Sequence, residues 1–220
     1  MKPEQLRQAL GALGVRRPIF HSEADFQHEL AIELQRNHYA VRLEVPIQVV
    51  LKNQPVGIQL DLLAINQESG QKTAIELKYI TVALDHQIKG ERFRLNGNWG
   101  TNLSLFDTLA DLERVEAVVK AGYADQGFSV LITNAETAWS RDVLNTSIMA
   151  REFSIHEGRQ LEAGSRLDWS PTTPSVGSVS KKRLAPYAPV EIPSSQTCQW
   201  NDYSKPTVGG GNFRYLILSA

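Results

Sequence analysis

Two charged side chains, Glu76 and Lys78, lie two positions apart in the otherwise apolar segment AIELKYI, residues 74–80. In a β-strand they would share one face, with Leu77 on the other. A half-solvated outer face is the usual reason for such a pair. A carboxylate beside an ammonium group can also serve hydrolysis of a phosphodiester, where a metal and a cation act on the phosphate and on water. The neighbouring segments must decide between these interpretations.

A second acid is predicted to lie next to Glu76. In residues 56–80 two apolar runs rich in β-branched side chains flank a polar turn, which indicates a β-hairpin. If the turn is centred between positions 68 and 69, Asp61 falls opposite Glu76. Like charges directly opposite each other destabilise a sheet, so the pair calls for a compensating cation. A register slip of one residue would separate the two acids.

A divalent metal is the cation that this pair suits. Adjacent carboxylate oxygens favour a hard ion such as Mg²⁺, for which Mn²⁺ is the natural substitute. Such an ion polarises a phosphoryl oxygen and lowers the pKa of a bound water. Lys78, on the same face as Glu76, would then orient or deprotonate that water, or stabilise developing charge. The predicted reaction is therefore phosphodiester hydrolysis.

Asp61, fourteen intervening residues and then Glu76-Leu77-Lys78 resemble the active-site motif of the PD-(D/E)XK, or restriction-endonuclease-like, nuclease superfamily. Leu60 stands where the family motif has proline. The resemblance implies an α/β (α+β) fold: a central mixed sheet in α-β-β-β-α-β order, flanked by helices. It also implies Mg²⁺-dependent cleavage with Asp61, Glu76 and Lys78 as catalytic residues. The expected substrate is DNA rather than RNA, in defence, repair or mobile-element processing, and the expected partner is a second copy or another protein of a complex.

The helix before the hairpin is predicted to start at Ser22, which can cap it as an N-cap residue with Asp25 three positions on. Its apolar stripe contains Phe26, Leu30 and Leu34, and Glu23 falls on that stripe. In the family a glutamate of the first helix often supplies a further metal ligand, and Glu23 matches that position. The alternative is that an acid in the first turn simply complements the helix dipole.

The remaining elements follow the same order. Residues 39–51 indicate a strand in which Pro46 marks a break or an edge. Residues 104–123 form a second amphipathic helix, and 127–135 form an apolar run suited to a buried parallel strand. The helix, three strands, helix and strand match the family order as far as residue 135.

The polar side of that second helix carries Asp107, Asp111 and Arg114. We interpret it as a solvated, salt-bridged face, which is the usual arrangement.

Residues 1–160 are predicted to form the nuclease-like core, and residues 161–220 a C-terminal extension with a flexible linker near 170–186 and extra docked strands. The single cysteine, Cys198, excludes an internal disulfide and a cysteine-built zinc site. No stretch is apolar enough to cross a bilayer, and the first residues lack signal-peptide features. The sequence therefore predicts a cytoplasmic protein without membrane contact.

Charge gives little support for nucleic-acid binding. The formal net charge is −1 and the isoelectric point about 6.5, so the chain has no overall basic character. The connection after AIELKYI carries Lys89, Arg92 and Arg94, which are our candidates for contact with the phosphate backbone. The alternative is a solvated loop whose Trp99 covers the core.

Three functional hypotheses remain. The first is an active Mg²⁺-dependent endonuclease that uses Glu23, Asp61, Glu76 and Lys78. The second is a catalytically weak or inactive module that keeps the fold in order to bind nucleic acid or a partner enzyme. The third is an ordinary α/β protein with acids on its surface, which predicts an exposed Glu76 far from Asp61.

Overall fold

The computed structural model describes residues 1–144, 146, 148–170, 188–206 and 211–220. The α-helices within these ranges are α1 Pro3–Arg16, α2 Glu23–Arg36, α3 Thr101–Lys120 and α4 Thr137–Ser140. The strands are β1 Tyr39–Leu51, β2 Gln54–Asn66, β3 Lys72–Tyr79, β4 Leu84–Ile88, β5 Glu91–Leu95, β6 Gln126–Thr133, β7 Gln160–Leu161, β8 Arg166–Leu167, β9 Val190–Glu191, β10 Gln196–Thr197, β11 Trp200–Ser204 and β12 Phe213–Ser219. None of the described helices has the length and hydrophobicity needed to span a lipid bilayer.

Six strands form a central mixed sheet in the order β1-β2-β3-β6-β12-β11. Strands β3 and β6 run parallel, and the other neighbouring pairs of this sheet are antiparallel. Strand β1 lies at one edge, so Pro46, which has no amide hydrogen, disrupts little there, as predicted. The predicted mixed α/β architecture, a central mixed sheet flanked by helices, is confirmed.

Each face of the sheet buries its own apolar core. Helices α1 and α2 and the β4–β5 hairpin cover one face, and α3 with segments of the C-terminal region covers the other. Along β3 the alternation is clear, because Ile75, Leu77 and Tyr79 face the α2 side while Ala74 and Ile80 face the α3 side. Residues 76 and 78 therefore point toward α3.

The elements α2-β1-β2-β3-α3-β6 follow one another in the predicted order. Two further elements, helix α1 and the β4–β5 hairpin, were not predicted from the sequence. Helix α1 buries Leu6, Leu10 and Leu13 completely, so its helical spacing was present in the sequence. The connection predicted as a loop is the β4–β5 hairpin. Its two-residue turn has positive φ at Lys89 (50°) and Gly90 (88°), as tight hairpins require.

The C-terminal region contributes two strands to the central sheet. Strand β12 pairs with β6 on one side and with β11 on the other, and Trp200 and Tyr203 are buried as expected for docked strands. The short strands of this region pair across it: β7 pairs with β10, and β8 with β9. Residues 171–187, which hold most of the predicted linker and its basic cluster at 181–183, lie outside the described residues.

The β1–β2 hairpin extends beyond the rest of the sheet. Its strands pair along their whole lengths, but β2 pairs with β3 only through residues 62–65. Leu62 packs in the α2-side core, whereas Leu60, on the same side of the strand, packs in the α3-side core. The hairpin therefore crosses from one core to the other at Asp61. Glu44, which lies across from this point in β1, has φ 52°, a value uncommon outside glycine.

Candidate functional site

The candidate site lies where strand β2 separates from β3. The ladder between them ends at the pair Leu62–Ile75, while β3 stays paired with β6 as far as Tyr79. The Ile80 amide donates to β6. Because amides alternate in direction along a strand, those of Leu77 and Tyr79 point to the side that β2 has left.

Two carboxylates accept hydrogen bonds from these amides. Asp61 Oδ2 accepts from the Leu77 N–H at 2.6 Å, and Glu23 Oε2 accepts from the Tyr79 N–H at 2.8 Å. The prediction that Glu23 points toward the sheet is confirmed. Its place in the first turn of α2 also suits the helix dipole, but the dipole alone does not explain a bond to β3. Burial raises the pKa of Glu23, against the opposing effects of Lys78 and the Tyr79 amide.

Gln27, one turn after Glu23, connects α2 to the same point. Its buried side-chain amide donates to the Asp61 backbone carbonyl at 3.0 Å and to Glu44 Oε1 at 2.6 Å. The contacts fix α2 against the crossing point of the β1–β2 hairpin, so they hold Asp61 in place. The sequence analysis did not identify this residue.

Glu76 is the most deeply buried acid of the predicted motif. The observed register, with Leu62 opposite Ile75, is the one predicted from the turn, and it makes Asp61 the cross-strand neighbour of Glu76. Glu76 is only 1% exposed, and this burial and the nearby Asp61 carboxyl group raise its pKa. The predicted pairing of these acids is therefore confirmed, and an exposed Glu76 far from Asp61, which the surface-decoration hypothesis required, is not observed.

The surroundings of Glu76 disfavour its charge. Burial and the carboxylates of Asp111 and Asp61 raise the pKa of Glu76 to about 9, although the Arg114 guanidinium opposes the shift. In the absence of a further cation, these surroundings therefore favour the protonated form of Glu76. A positive ion placed beside it would favour release of that proton.

Helix α3 supplies two residues that the sequence analysis assigned to a solvated face. Asp111 Oδ2 lies 3.0 Å from Lys78 Nζ, Arg114 Nη2 lies 3.1 Å from Glu76 Oε1, and Arg114 Nη1 lies 3.2 Å from Asp111 Oδ1. We call these four side chains, Glu76, Lys78, Asp111 and Arg114, the buried network.

The solvated-face interpretation is wrong for Asp111, which is only 3% exposed, and for the partly buried Arg114. The polar side of α3 packs against the charged side of β3, so it meets opposite charges instead of water. The sequence held one indication of this. Asp111 follows Ser104 and Thr108 at helical spacing, and both are short polar residues that are also buried.

Lys78 is held in its charged form. Burial lowers its pKa, but the nearby Asp111 and Glu23 carboxylates outweigh that effect and raise the pKa above its ordinary value. Of the roles predicted for this lysine, deprotonation of water is therefore the least compatible with its surroundings. Orientation of water and stabilisation of negative charge both remain open to it.

The site carries excess negative charge that a divalent ion would balance. Four carboxylates and two cations give a net charge of −2 when all are ionised; they are Glu23, Asp61, Glu76 and Asp111 with Lys78 and Arg114. Glu76 Oε1 and Asp111 Oδ2 are buried without a hydrogen-bond partner, although each lies near a cation. The oxygen donors suit a hard cation.

The side chains are not arranged around an ion as they stand. Among the described residues, no three acidic, imidazole or thiol side chains converge on a common point. Asp61 and Glu23 are bonded to strand amides, and Glu76 lies against Arg114. An ion would therefore have to replace at least one of these contacts.

The three basic residues predicted to contact nucleic acid all lie on the β4–β5 hairpin but differ in their partners. Lys89 lies exposed at the tip of the β4–β5 hairpin. Arg92 donates two hydrogen bonds to Asp85, at 2.9 and 2.7 Å, so its guanidinium is already paired. Arg94 makes no ion pair among the described residues and lines a cavity beside the site.

This cavity has a volume of about 350 Å³ and opens between the start of α2 and the end of the β4–β5 hairpin. Glu23 and Arg94 line it, together with His21, Asn96 and Asn98. Trp99 packs against the α3-side core, as the alternative interpretation of that segment proposed. Glu23 therefore lies in the wall of an open cavity whose lining includes several polar side chains.

Comparisons with other proteins do not assign the chain to a family. Nothing matches it among protein families, curated proteins or solved structures. A function must therefore be argued from the chemistry of the site.

Proposed function

We propose that the protein is a metal-dependent nuclease that hydrolyses phosphodiester bonds, with DNA as its preferred substrate. One observation carries the proposal: Glu76 and Asp111 are buried, and Asp61 and Lys78 partly buried beside them, in a cluster of net negative charge where β2 leaves β3. Burial of like charges destabilises the folded state. Retained destabilisation of this kind, with strongly shifted pKa values, is typical of functional sites.

The motif resemblance supports the same reaction. Asp61 and the Glu76-Leu77-Lys78 segment lie on neighbouring strands, as the PD-(D/E)XK motif does in its family. The order α2-β1-β2-β3-α3-β6 is the one that the resemblance implies, and the β4–β5 hairpin would be an insertion in it. Strands β12 and β11 would then extend the sheet of that core.

Asp61, Glu76 and Glu23 are the residues that we assign to a Mg²⁺ or Mn²⁺ ion. Their oxygens are the donors that such ions prefer, and the charge of −2 that the site has when all four carboxylates are ionised matches one divalent cation. When bound, the ion would supply polarisation of a phosphoryl oxygen and activation of water.

Lys78 acts in this proposal as a fixed positive charge. Asp111, 3.0 Å away, keeps it protonated and oriented, so it has no capacity to accept a proton from water. A cation held in a partly buried site stabilises negative charge on a phosphate more strongly than one in bulk water does. Asp111 is then a positioning residue for Lys78.

A second candidate function is a binding module that has lost cleavage. The observation that favours it is the pairing of both motif residues with α3, which leaves no three described acids around one point. The weak overall charge of −1 points the same way.

The deciding experiment is cleavage of single-stranded, duplex and branched DNA, with RNA in parallel, in Mg²⁺ or Mn²⁺. Asp61→Ala and Lys78→Ala should each reduce cleavage by roughly a hundredfold or more, because each removes a group that stabilises the transition state. The matched controls are Asp202→Ala and Lys120→Ala, which break surface ion pairs on β11 and α3. Circular dichroism at the assay temperature confirms that each variant is folded.

Metal-dependent cutting that both site variants lose and both controls keep supports the nuclease. Cutting that the site variants retain overturns the assignment of the site. Binding of nucleic acid without any cutting by the wild type selects the binding module instead.

A further inference from the structure

The buried network contains a cation that the proposed reaction does not use. Arg114 lies one turn after Asp111 on α3 and contacts Glu76, the most buried acid of the site. The nuclease motif accounts for Glu76 and Lys78, and Asp111 accounts for the position of Lys78. Neither the motif nor Asp111 accounts for the guanidinium beside Glu76.

The contact between Arg114 and Glu76 is incomplete as a hydrogen bond. The nearest atoms are 3.1 Å apart, yet Glu76 Oε1 and Arg114 Nε are both buried without a hydrogen-bond partner. A well-formed arginine–carboxylate pair usually has two parallel hydrogen bonds. Arg114 therefore places a positive charge beside Glu76 without donating a hydrogen bond to its oxygen.

The two partners differ in their freedom to move. The Arg114 side chain is 31% exposed, whereas that of Glu76 is 1% exposed. Arg114 also contacts Asp111 at 3.2 Å and donates to the Gln59 carbonyl at 3.2 Å. It can therefore leave Glu76 toward solvent while keeping other partners, but Glu76 has no comparable alternative.

We propose that Arg114 is a placeholder cation, which occupies the position beside Glu76 in the metal-free protein and gives it up to a divalent metal ion. This inference rests on the proposed function, because it assumes that Glu76 binds the ion. Two positive charges cannot share one buried oxygen without strong repulsion. Metal binding therefore requires displacement of the guanidinium, and its cost weakens the apparent affinity for the metal.

The direct test follows the Arg114 side chain of the wild type by NMR during titration with Mg²⁺. The Nε–Hε signal of Arg114 should shift, and its exchange with water should accelerate, as the site fills. Arg16 is the matched control, since it also lies on a helix and pairs with a buried glutamate, Glu33, but away from the site. Its signal should stay unchanged.

A variant gives a second readout. Arg114→Gln removes the competing charge, so Mg²⁺ measured by calorimetry at pH 8.5 should bind about tenfold more tightly than to the wild type. Arg114→Lys, which keeps the charge, should remain closer to the wild type. Arg16→Gln should leave the affinity unchanged.

The inference is overturned if the Arg114 signal does not respond at saturating Mg²⁺, or if Arg114→Gln binds the ion less tightly than the wild type. Failure of the proposed function has a different appearance. In that case the wild type binds no Mg²⁺, or Asp61→Ala binds it as well as the wild type does.

Discussion

Two networks of charged side chains in this protein have opposite effects on the ionisation of a glutamate. One is the buried network between β3 and α3. The other, which we call the surface network, joins the start of α2 to strand β5 and consists of Arg17, His21, Asp25 and Glu91. In the surface network Arg17 donates to both Glu91 oxygens at 2.8 Å and to Asp25 at 2.8 Å. Hydrogen bonds from Arg17 and His21 lower the pKa of Glu91, so its charge is favoured.

The buried network has the reverse balance. Glu76 is almost fully buried, its pKa is raised, and its nearest cation makes no hydrogen bond to it. Ion pairs of similar length can therefore affect the ionisation of a carboxyl group in opposite directions, depending on burial and hydrogen bonding. The surface network stabilises local structure, whereas the buried network stores charge that a ligand can use.

The largest expected effect comes from removing one cation of each network. Lys78→Met should reduce the free energy of unfolding by about 3 kcal/mol in EDTA, because it removes one of the two cations that contact the buried Asp111. Arg17→Met, whose side chain has almost the same exposure (21% against 22%), should cost about 1 kcal/mol or less. Urea denaturation measures both. Equal losses would remove the distinction between the networks.

The pH dependence of stability should have opposite signs in the two networks. Because the folded protein keeps the Glu76 proton up to about pH 9, whereas the unfolded chain releases it near 4.5, Glu76 destabilises the fold increasingly as pH rises between these values. The limiting slope is about 1.4 kcal/mol per pH unit. The melting temperature of Glu76→Gln in EDTA should therefore increase relative to that of the wild type as pH rises.

Glu91→Gln is the counterpart in the surface network. The lowered pKa of Glu91 means that its stabilising contribution is present above pH 4.5 and is lost as pH falls through the folded-state value. The wild type should therefore exceed this variant near neutral pH and lose the advantage in acid. A Glu76→Gln difference that stays constant from pH 5 to 8.5 would contradict the buried charge assigned to the site.

The smallest effect separates two arginines of the β4–β5 hairpin. Arg94→Ala should weaken DNA binding and reduce the slope of log affinity against log salt concentration by about 1, as loss of one phosphate contact does. Arg92→Ala should change it less, because Asp85 already holds that guanidinium. Fluorescence anisotropy in EDTA, where cleavage is absent, compares them. A greater loss of DNA affinity with Arg92→Ala than with Arg94→Ala would instead assign the nucleic-acid contact to Arg92 on the hairpin surface.

The parts of the site that the sequence predicted depend on local regularity. The Ser22 cap and the stripe through Phe26 place Glu23, and the symmetry of one turn places Asp61 beside Glu76. Each relation spans few residues or a single hairpin, so periodicity and turn position are sufficient to find it.

The contribution of α3 could not be found in that way. Asp111 and Lys78 are separated by the β4–β5 hairpin and half of α3, and their contact depends on how α3 packs against the sheet. The polar face of a helix has the same periodicity whether it meets water or another charged surface. The β4–β5 hairpin was missed for a related reason, because its exposed charged residues concealed the alternation around Phe93 and Leu95.

The early end of the β2–β3 ladder has a mechanical consequence. Beyond Leu62 the β1–β2 hairpin has no ladder bonds to β3, and apolar side chains such as Leu60 hold it against α3. The seam is bridged by the bond from the Leu77 amide to the Asp61 carboxylate. We therefore expect this end of the hairpin to separate from β3 by exchanging a few side-chain contacts, without loss of ladder hydrogen bonds between β2 and β3.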